Sequence, residues 1–293
     1  MTDHPKPPPR QEGDPETTGH VWDGIEEFDN PMPRWWLWTF YLTIAWGVLY
    51  TIAFPAWPLI SSATAGIFGY STRGEVAADI AAVQEANEGI NMQLASADLS
   101  AVPADPDLNG YAVSAGAAVF RTWCSQCHGS GAAGVQASGY PNLLDDDWLW
   151  GGSVDAIYAT VAHGIRNEDD PDARYSEMPA YGDIFEPEEI EQVVNYVMTL
   201  SGGTPIDASK VAAGEVLFYD NCAACHGEEG LGDPELGAPN LADAIWLYGG
   251  DYDTLVETVT YSRYGVMPPW AQRLSEAELR AVALYVHQLG GGE

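Results

Sequence analysis

The sequence predicts an all-α protein in which one N-terminal membrane-spanning helix precedes two tandem helical domains. Three observations predict it. Residues Trp35 to Phe54 form an uncharged, aromatic-rich run of 20 residues. The chain after residue 104 repeats itself at an offset of 98 positions. Apolar residues near the end of each repeat recur at helical spacing, whereas strand signals are absent.

The first 34 residues are rich in Pro, Glu and Asp, with 8 acids and 3 bases. Such a composition buries too little apolar surface to order itself, so residues 1–34 are expected to be a largely disordered tail, at least to about Gly19. The run 35–54 then spans about 30 Å as a helix, the thickness of a bilayer's hydrocarbon core. Tryptophans and tyrosines crowd its ends, as interfacial residues do. Pro55 and Pro58 stop it. A cleavable signal is disfavoured because a long polar segment comes first. A buried soluble helix is disfavoured by apolarity on every face. Residues 55–103 read as a linker.

The repeat divides the rest into two domains, residues 104–203 and 204–293. Gly116 matches Gly214, Phe120 matches Phe218, and Pro141-Asn142-Leu143 matches Pro239-Asn240-Leu241. Trp148 matches Trp246, and Gly151-Gly152 matches Gly249-Gly250. After a nine-residue contraction the offset is 89, pairing Met178-Pro179 with Met267-Pro268 and Tyr196 with Tyr285. Ser201-Gly-Gly-Thr-Pro205 is the boundary linker. Helices are predicted over about 112–125 and 208–223. Closing helices are predicted around Ile190, Val193, Val194, Val197 and Leu200, and around Leu279, Val282, Ala283, Val286 and Leu289. Pro187 suits a first turn, and Ser275-x-x-Glu278 is a capping box. The small Gly116 and Gly214 are expected to let the first helix of each domain cross its own last helix, near Tyr196 and Tyr285.

All four cysteines fall in two C-x-x-C-H pentapeptides, Cys124-Ser-Gln-Cys127-His128 and Cys222-Ala-Ala-Cys225-His226. Two thiols at this spacing can add across the vinyl groups of one haem, and the following histidine can ligate its iron. Structural zinc pairs usually lie about 12–20 residues apart, far closer than these. A thioredoxin-like pair would need a βαβ context. A disulfide framework belongs to smaller secreted chains. The expected cofactors are therefore two covalently attached haem c groups.

The sixth ligand of each iron must come from far along each domain. Met178 and Met267 are candidates, because both precede proline and occupy equivalent places in the repeat. A thioether is a soft ligand that raises the potential relative to a second histidine. The plainer reading is a core methionine filling a gap. His163 and His287 compete, but their repeat partners are Tyr261 and Met198, so neither is duplicated. Trp148 and Trp246 read as haem-pocket or core residues. No P-loop, G-x-S-x-G or H-E-x-x-H motif is present, so no catalytic residue is expected.

The charge is −32, from 43 acids and 11 bases. Such a surface repels nucleic acid and attracts a basic partner through salt-sensitive steering. The alternative is that the acids only keep the surface solvated. Covalent haem attachment in bacteria occurs outside the cytoplasmic membrane. The haem domains and the 55–103 linker are thus expected in the periplasm, and the 1–34 tail in the cytoplasm.

An N-terminal tail, one membrane helix, a linker and two C-x-x-C-H domains each ending in Met-Pro resemble the dihaem cytochrome c subunit, subunit III, of the cbb3-type cytochrome c oxidases. Asn30-Pro31-Met32-Pro33-Arg34-Trp35-Trp36 before the helix looks like that family's entry segment. Pro55-Ala-Trp-Pro58 and Gly69-Tyr70-Ser71-Thr72-Arg73-Gly74 look like its exit segment. One departure is Tyr261, where relatives often repeat the His163-Gly164 pair. The resemblance implies two class I cytochrome c-like domains. It implies electrons accepted from a cytochrome c donor, then passed to a monohaem cytochrome subunit and a haem–copper catalytic subunit that reduces oxygen and pumps protons. A free membrane-anchored dihaem shuttle, or a cytochrome subunit of a periplasmic dehydrogenase, are the other readings. A haem peroxidase would need an open or displaceable iron ligand.

Overall fold

The computed structural model describes residues 13–292 and divides at Ala86 and Asn87 into two compact units. Its class is all-α, with one small two-stranded sheet.

That sheet corrects the expected disorder of the tail. Strands β1 (Thr17–Trp22) and β2 (Ile25–Phe28) pair antiparallel, with Val21 opposite Glu26 and Trp22 opposite Ile25. Asp23 and Gly24 form the two-residue turn, both in the left-handed region at φ 46° and 86°. Asp-Gly is a strong short hairpin signal, because a type I′ turn twists with its strands. Residues 1–12 of the tail lie outside the described residues.

Helix α1 (Arg34–Ala53) is long and apolar enough to cross a membrane, and none of its residues is buried in the protein. Its threonine hydroxyls are satisfied internally, as lipid requires. Thr39, Thr43 and Thr51 donate to the carbonyls of Trp35, Phe40 and Val48 at 2.9, 2.7 and 2.9 Å. The chain then folds back on the helix end. The amides of Ile67 and Phe68 donate to the carbonyls of Ile52 and Ala53, capping groups that a helix terminus leaves unpaired. Phe54 packs edge-on against Phe68 and Tyr70. Helix α2 (Thr72–Ser96) follows.

The second unit contains α3 (Pro106–Val119), which runs through a wide turn at Phe120–Cys124 into α4 (Ser125–His128). It continues with α5 (Val154–His163), α6 (Pro187–Leu200), α7 (Val211–Asn221), α8 (Ala223–His226), α9 (Tyr252–Tyr261) and α10 (Glu276–His287). Both expected helix starts hold. Pro187 lies in the first turn of α6, behind a Glu186–Glu189 capping box, and Ser275 and Glu278 cap α10.

The expectation that each repeat closes on its own last helix is corrected. One core joins Phe120, Ile157 and Val161 of the first repeat to Leu279, Val282, Ala283 and Val286 of α10. Ala112 of α3 likewise shares a core with Ala281 and Leu284. A third core joins Phe218 of α7 and Leu255 of α9 to Ile190, Val193, Val194 and Val197 of α6. The repeats 104–203 and 204–293 are contiguous in sequence, but they exchange closing helices.

The glycines record the exchange. A Cβ on Gly116 would lie 2.1 Å from the Ala281 carbonyl oxygen and 2.7 Å from Tyr285 Cβ. A Cβ on Gly214 would lie 1.9 Å from the Gln192 carbonyl oxygen and 3.0 Å from Tyr196 Cβ. Phe120 packs on Tyr285 at 5.5 Å between ring centroids, and Phe218 packs on Tyr196 at 5.3 Å. Phe120 and Phe218 are almost wholly buried, and removing either ring would cost about 3–5 kcal/mol.

Candidate haem sites

Two cavities lie beside the two C-x-x-C-H turns. The first is lined by Cys124, His128, Leu143, Trp148, Trp150 and Met267 among others, around about 740 Å³ of open space. The second is lined by Cys222, Cys225, His226, Met178, Trp246 and Tyr248 among others, around about 1390 Å³. The walls are mainly apolar and aromatic, as cofactor pockets are. Trp148 and Trp246 thus line the two cavities at equivalent positions, and Gly152 and Gly250 pack against their rings.

The same loop geometry serves both histidines. The amide of Gly134 donates to the His128 carbonyl at 2.9 Å, and that of Gly232 to the His226 carbonyl at 2.8 Å. Further along each loop, the Leu143 amide donates to Ala132 O at 2.8 Å and the Leu241 amide to Gly230 O at 2.6 Å. The loops thereby bring Pro141 O to 3.3 Å from His128 Nδ1 and Pro239 O to 3.0 Å from His226 Nδ1. A carbonyl can only accept, so Nδ1 carries the proton and Nε2 is left with its lone pair. Burial pushes both imidazoles below their ordinary pKa, which keeps them neutral as a metal ligand must be.

The four cysteines are unbridged. Burial pushes the Cys124 and Cys222 thiols up to about 11. A redox dithiol needs the opposite shift, toward the thiolate. The donor set therefore fits thioether attachment of haem rather than disulfide exchange.

The methionines are where the structure departs most from expectation. Met178, in the first repeat, lines the cavity of His226, and Met267, in the second repeat, lines the cavity of His128. The physical reason is the exchange of closing segments. Met267 and Ile165 trade backbone hydrogen bonds at 3.0 Å in both directions. The Trp270 amide reaches the Val161 and Ala162 carbonyls at 3.1 Å. These bonds dock the second Met-Pro loop on the end of α5. In the other direction, Ser262 Oγ donates to the Met178 carbonyl, and Tyr181 Oη donates to Asn221 O at 2.6 Å.

His163 and His287 line neither cavity. His163 Nδ1 instead faces Asp170 Oδ2 at 3.1 Å on the surface. Sequence reasoning missed the arginines around the cavities. Arg263 stacks on Tyr248 at 4.7 Å and Arg174 on Trp150 at 5.7 Å. The signal was present, because Trp150 and Tyr248 match at the 98 offset and Arg174 and Arg263 at the 89 offset.

Comparison with known families agrees with this construction. Residues 14–61 match the N-terminal domain of cytochrome oxidase-cbb3, FixP. Residues 112–197 and 209–286 each match cytochrome c oxidase, cbb3-type, subunit III. The chain is 62% identical to the cbb3-type cytochrome c oxidase subunit CcoP of Cereibacter sphaeroides, over 98% of this chain and 99% of that one. It is 55% identical to the CcoP subunit of Rhodobacter capsulatus, over 95% and 96% of the two chains. It is 50% identical to the FixP subunit of Sinorhizobium medicae, over 95% of each chain. The chain is therefore a membrane-anchored, haem c-binding member of the subunit III family of cbb3-type cytochrome c oxidases, and serves that complex in electron transfer.

Proposed function

We propose that the chain binds two haem c groups, one in each composite cavity, and relays electrons from a cytochrome c donor to the catalytic subunits of the oxidase. The observation that carries this reading is that each cavity joins one Cys-x-x-Cys-His turn to one Met-Pro loop. Bound haem c supplies a one-electron carrier.

In the first cavity Cys124 and Cys127 would hold the group covalently, and His128 and Met267 would ligate its iron. In the second, Cys222 and Cys225 would attach the group, and His226 and Met178 would ligate its iron. Methionine as the second ligand raises the potential, as suits a donor to an oxidase. With a histidine and a methionine offered to each iron, oxygen chemistry would fall to the haem–copper partner, reached through the monohaem cytochrome subunit. The acidic surface suits a basic donor. The tail faces the cytoplasm and both haem-bearing halves face the periplasm of the inner membrane.

The test uses a chain that carries Cys222→Ala and Cys225→Ala and so keeps only the first haem. Met267→His should then abolish the methionine-to-iron charge-transfer band, and Met178→His should leave it intact. The reverse result would show that each repeat ligates its own iron. Co-purification of b-type haem and copper after mild solubilisation tests the partners; their absence would favour a free shuttle.

A further inference from the structure

Arg166 ties the two methionine loops together. Its Nε donates to the Ser176 carbonyl at 2.5 Å and its Nη1 to the Gly265 carbonyl at 3.1 Å. Ser176 stands two residues before Met178, and Gly265 stands two residues before Met267. One guanidinium thus grips equivalent points of both loops. A planar fork of donors is suited to this, and a lysine ammonium is not.

The surroundings of Arg166 also join the two sites. Its guanidinium lies 5.9 Å from the Trp150 ring centroid and 5.6 Å from that of Tyr264. Trp150 lines the first cavity, while Arg166 and Tyr264 line the second. The residue sits in the left-handed region, at φ 52°. Only glycine adopts that conformation without cost, so the arginine is held there by its surroundings: its amide donates to the Arg174 carbonyl at 2.8 Å, and its side chain grips both loops.

Its charge has no close ion pair among the described residues, and the one carboxylate that acts on it, Glu177 beside Ser176, does so from beyond 4.0 Å. The chain has 43 acids, yet among the described residues no carboxylate lies within 4.0 Å of Arg166. Arg263 by contrast has Glu257 at 3.3 Å. A partly buried cation still gains from a closely paired anion. Haem c brings two propionates.

We propose that Arg166 is a positioning residue shared by both haem sites, clamping the Met178 and Met267 loops and pairing its charge with a propionate of the group bound in the second cavity. This rests on the two-haem reading. Removing the clamp loosens both methionines, and removing the charge favours the oxidised form of the second haem.

The test compares Arg166→Gln and Arg166→Lys in the full-length chain. Each is made in Met178→His and Met267→His backgrounds, so that one methionine band is read at a time. Both substitutions should weaken both bands. The equilibrium for reduction of the second haem should fall about threefold to tenfold in Arg166→Gln, the range expected for losing a nearby charge, and much less in Arg166→Lys. Fewer than two covalent haems in the otherwise native chain would overturn the two-haem reading and the clamp with it. Two haems with either band unchanged in Arg166→Gln would overturn the shared clamp alone. Equal falls in the Gln and Lys variants would overturn the charge pairing. If the Gln variant does not accumulate, weakening of both bands in the Lys variant decides the clamp.

Discussion

Gly116 packs against Tyr285, 169 positions later in the chain, rather than against Tyr196 of its own repeat. The Phe120 ring beside it rests on the same tyrosine. The contact leaves no room for a side chain at Gly116. Gly116→Val should therefore destabilise the crossing of α3 and α10 by roughly 1–3 kcal/mol or more, since the obstacle is backbone that cannot turn aside. Thermal unfolding followed in the visible band should show the first haem losing its methionine before the second does. Simultaneous loss of both would mean that the two cores unfold as one.

Neither repeat should fold alone. A chain cut after residue 203 lacks Val282, Ala283 and Val286, which complete the core around Phe120. Expressed separately, residues 87–203 and 204–293 are expected to be protease-sensitive. Mixed, they should re-form a helical complex, with protection measured by hydrogen exchange. A stable first fragment by itself would refute the exchange of closing helices.

Asp147 supplies a pH-dependent contribution to stability. Burial, followed by the nearby Asp243, Asp145 and Asp146, pushes its carboxyl up to about 6. The folded protein then binds this proton more tightly than the unfolded chain, whose carboxyl titrates near 3.9. The stabilisation from protonated Asp147 is present below that value and is lost as pH rises toward and through 6. Asp147→Asn should raise Tm at pH 7 and flatten its dependence between pH 4 and 7. Parallel Tm–pH curves for the two proteins would contradict this.

Electron delivery by a basic donor should depend on salt. Between about 0.01 and 0.15 M ionic strength the screening length shrinks from about 30 to 8 Å. Against a charge of −32, the bimolecular reduction rate in stopped flow should fall tenfold or more. A flat profile would make the acids simple solubilisers.

Much of the site was legible because its chemistry is local. Cys124, Cys127 and His128 stand within about one helical turn of each other, and so do Cys222, Cys225 and His226. The membrane helix was legible for the same reason, since a bilayer acts on a contiguous run of side chains. The hairpin was not read, although Asp23-Gly24 announces it, because the acidic, Pro-rich composition around it argued for disorder. Arg166 was invisible because its partners are backbone carbonyls and its repeat counterpart is Tyr264.

By itself the sequence determined the kind of most parts: an apolar helix long enough to cross a membrane, two C-x-x-C-H turns, two Met-Pro loops and two closing helices. Tertiary structure alone decided which loop lies beside which turn. The closing helices carry the same apolar spacing and the same tyrosine, so α6 and α10 present similar faces to α3 and α7. Local pattern therefore accepts either pairing. The choice depends on where the chain can run between the repeats, and on bonds such as Ile165 to Met267 that form only once distant segments meet.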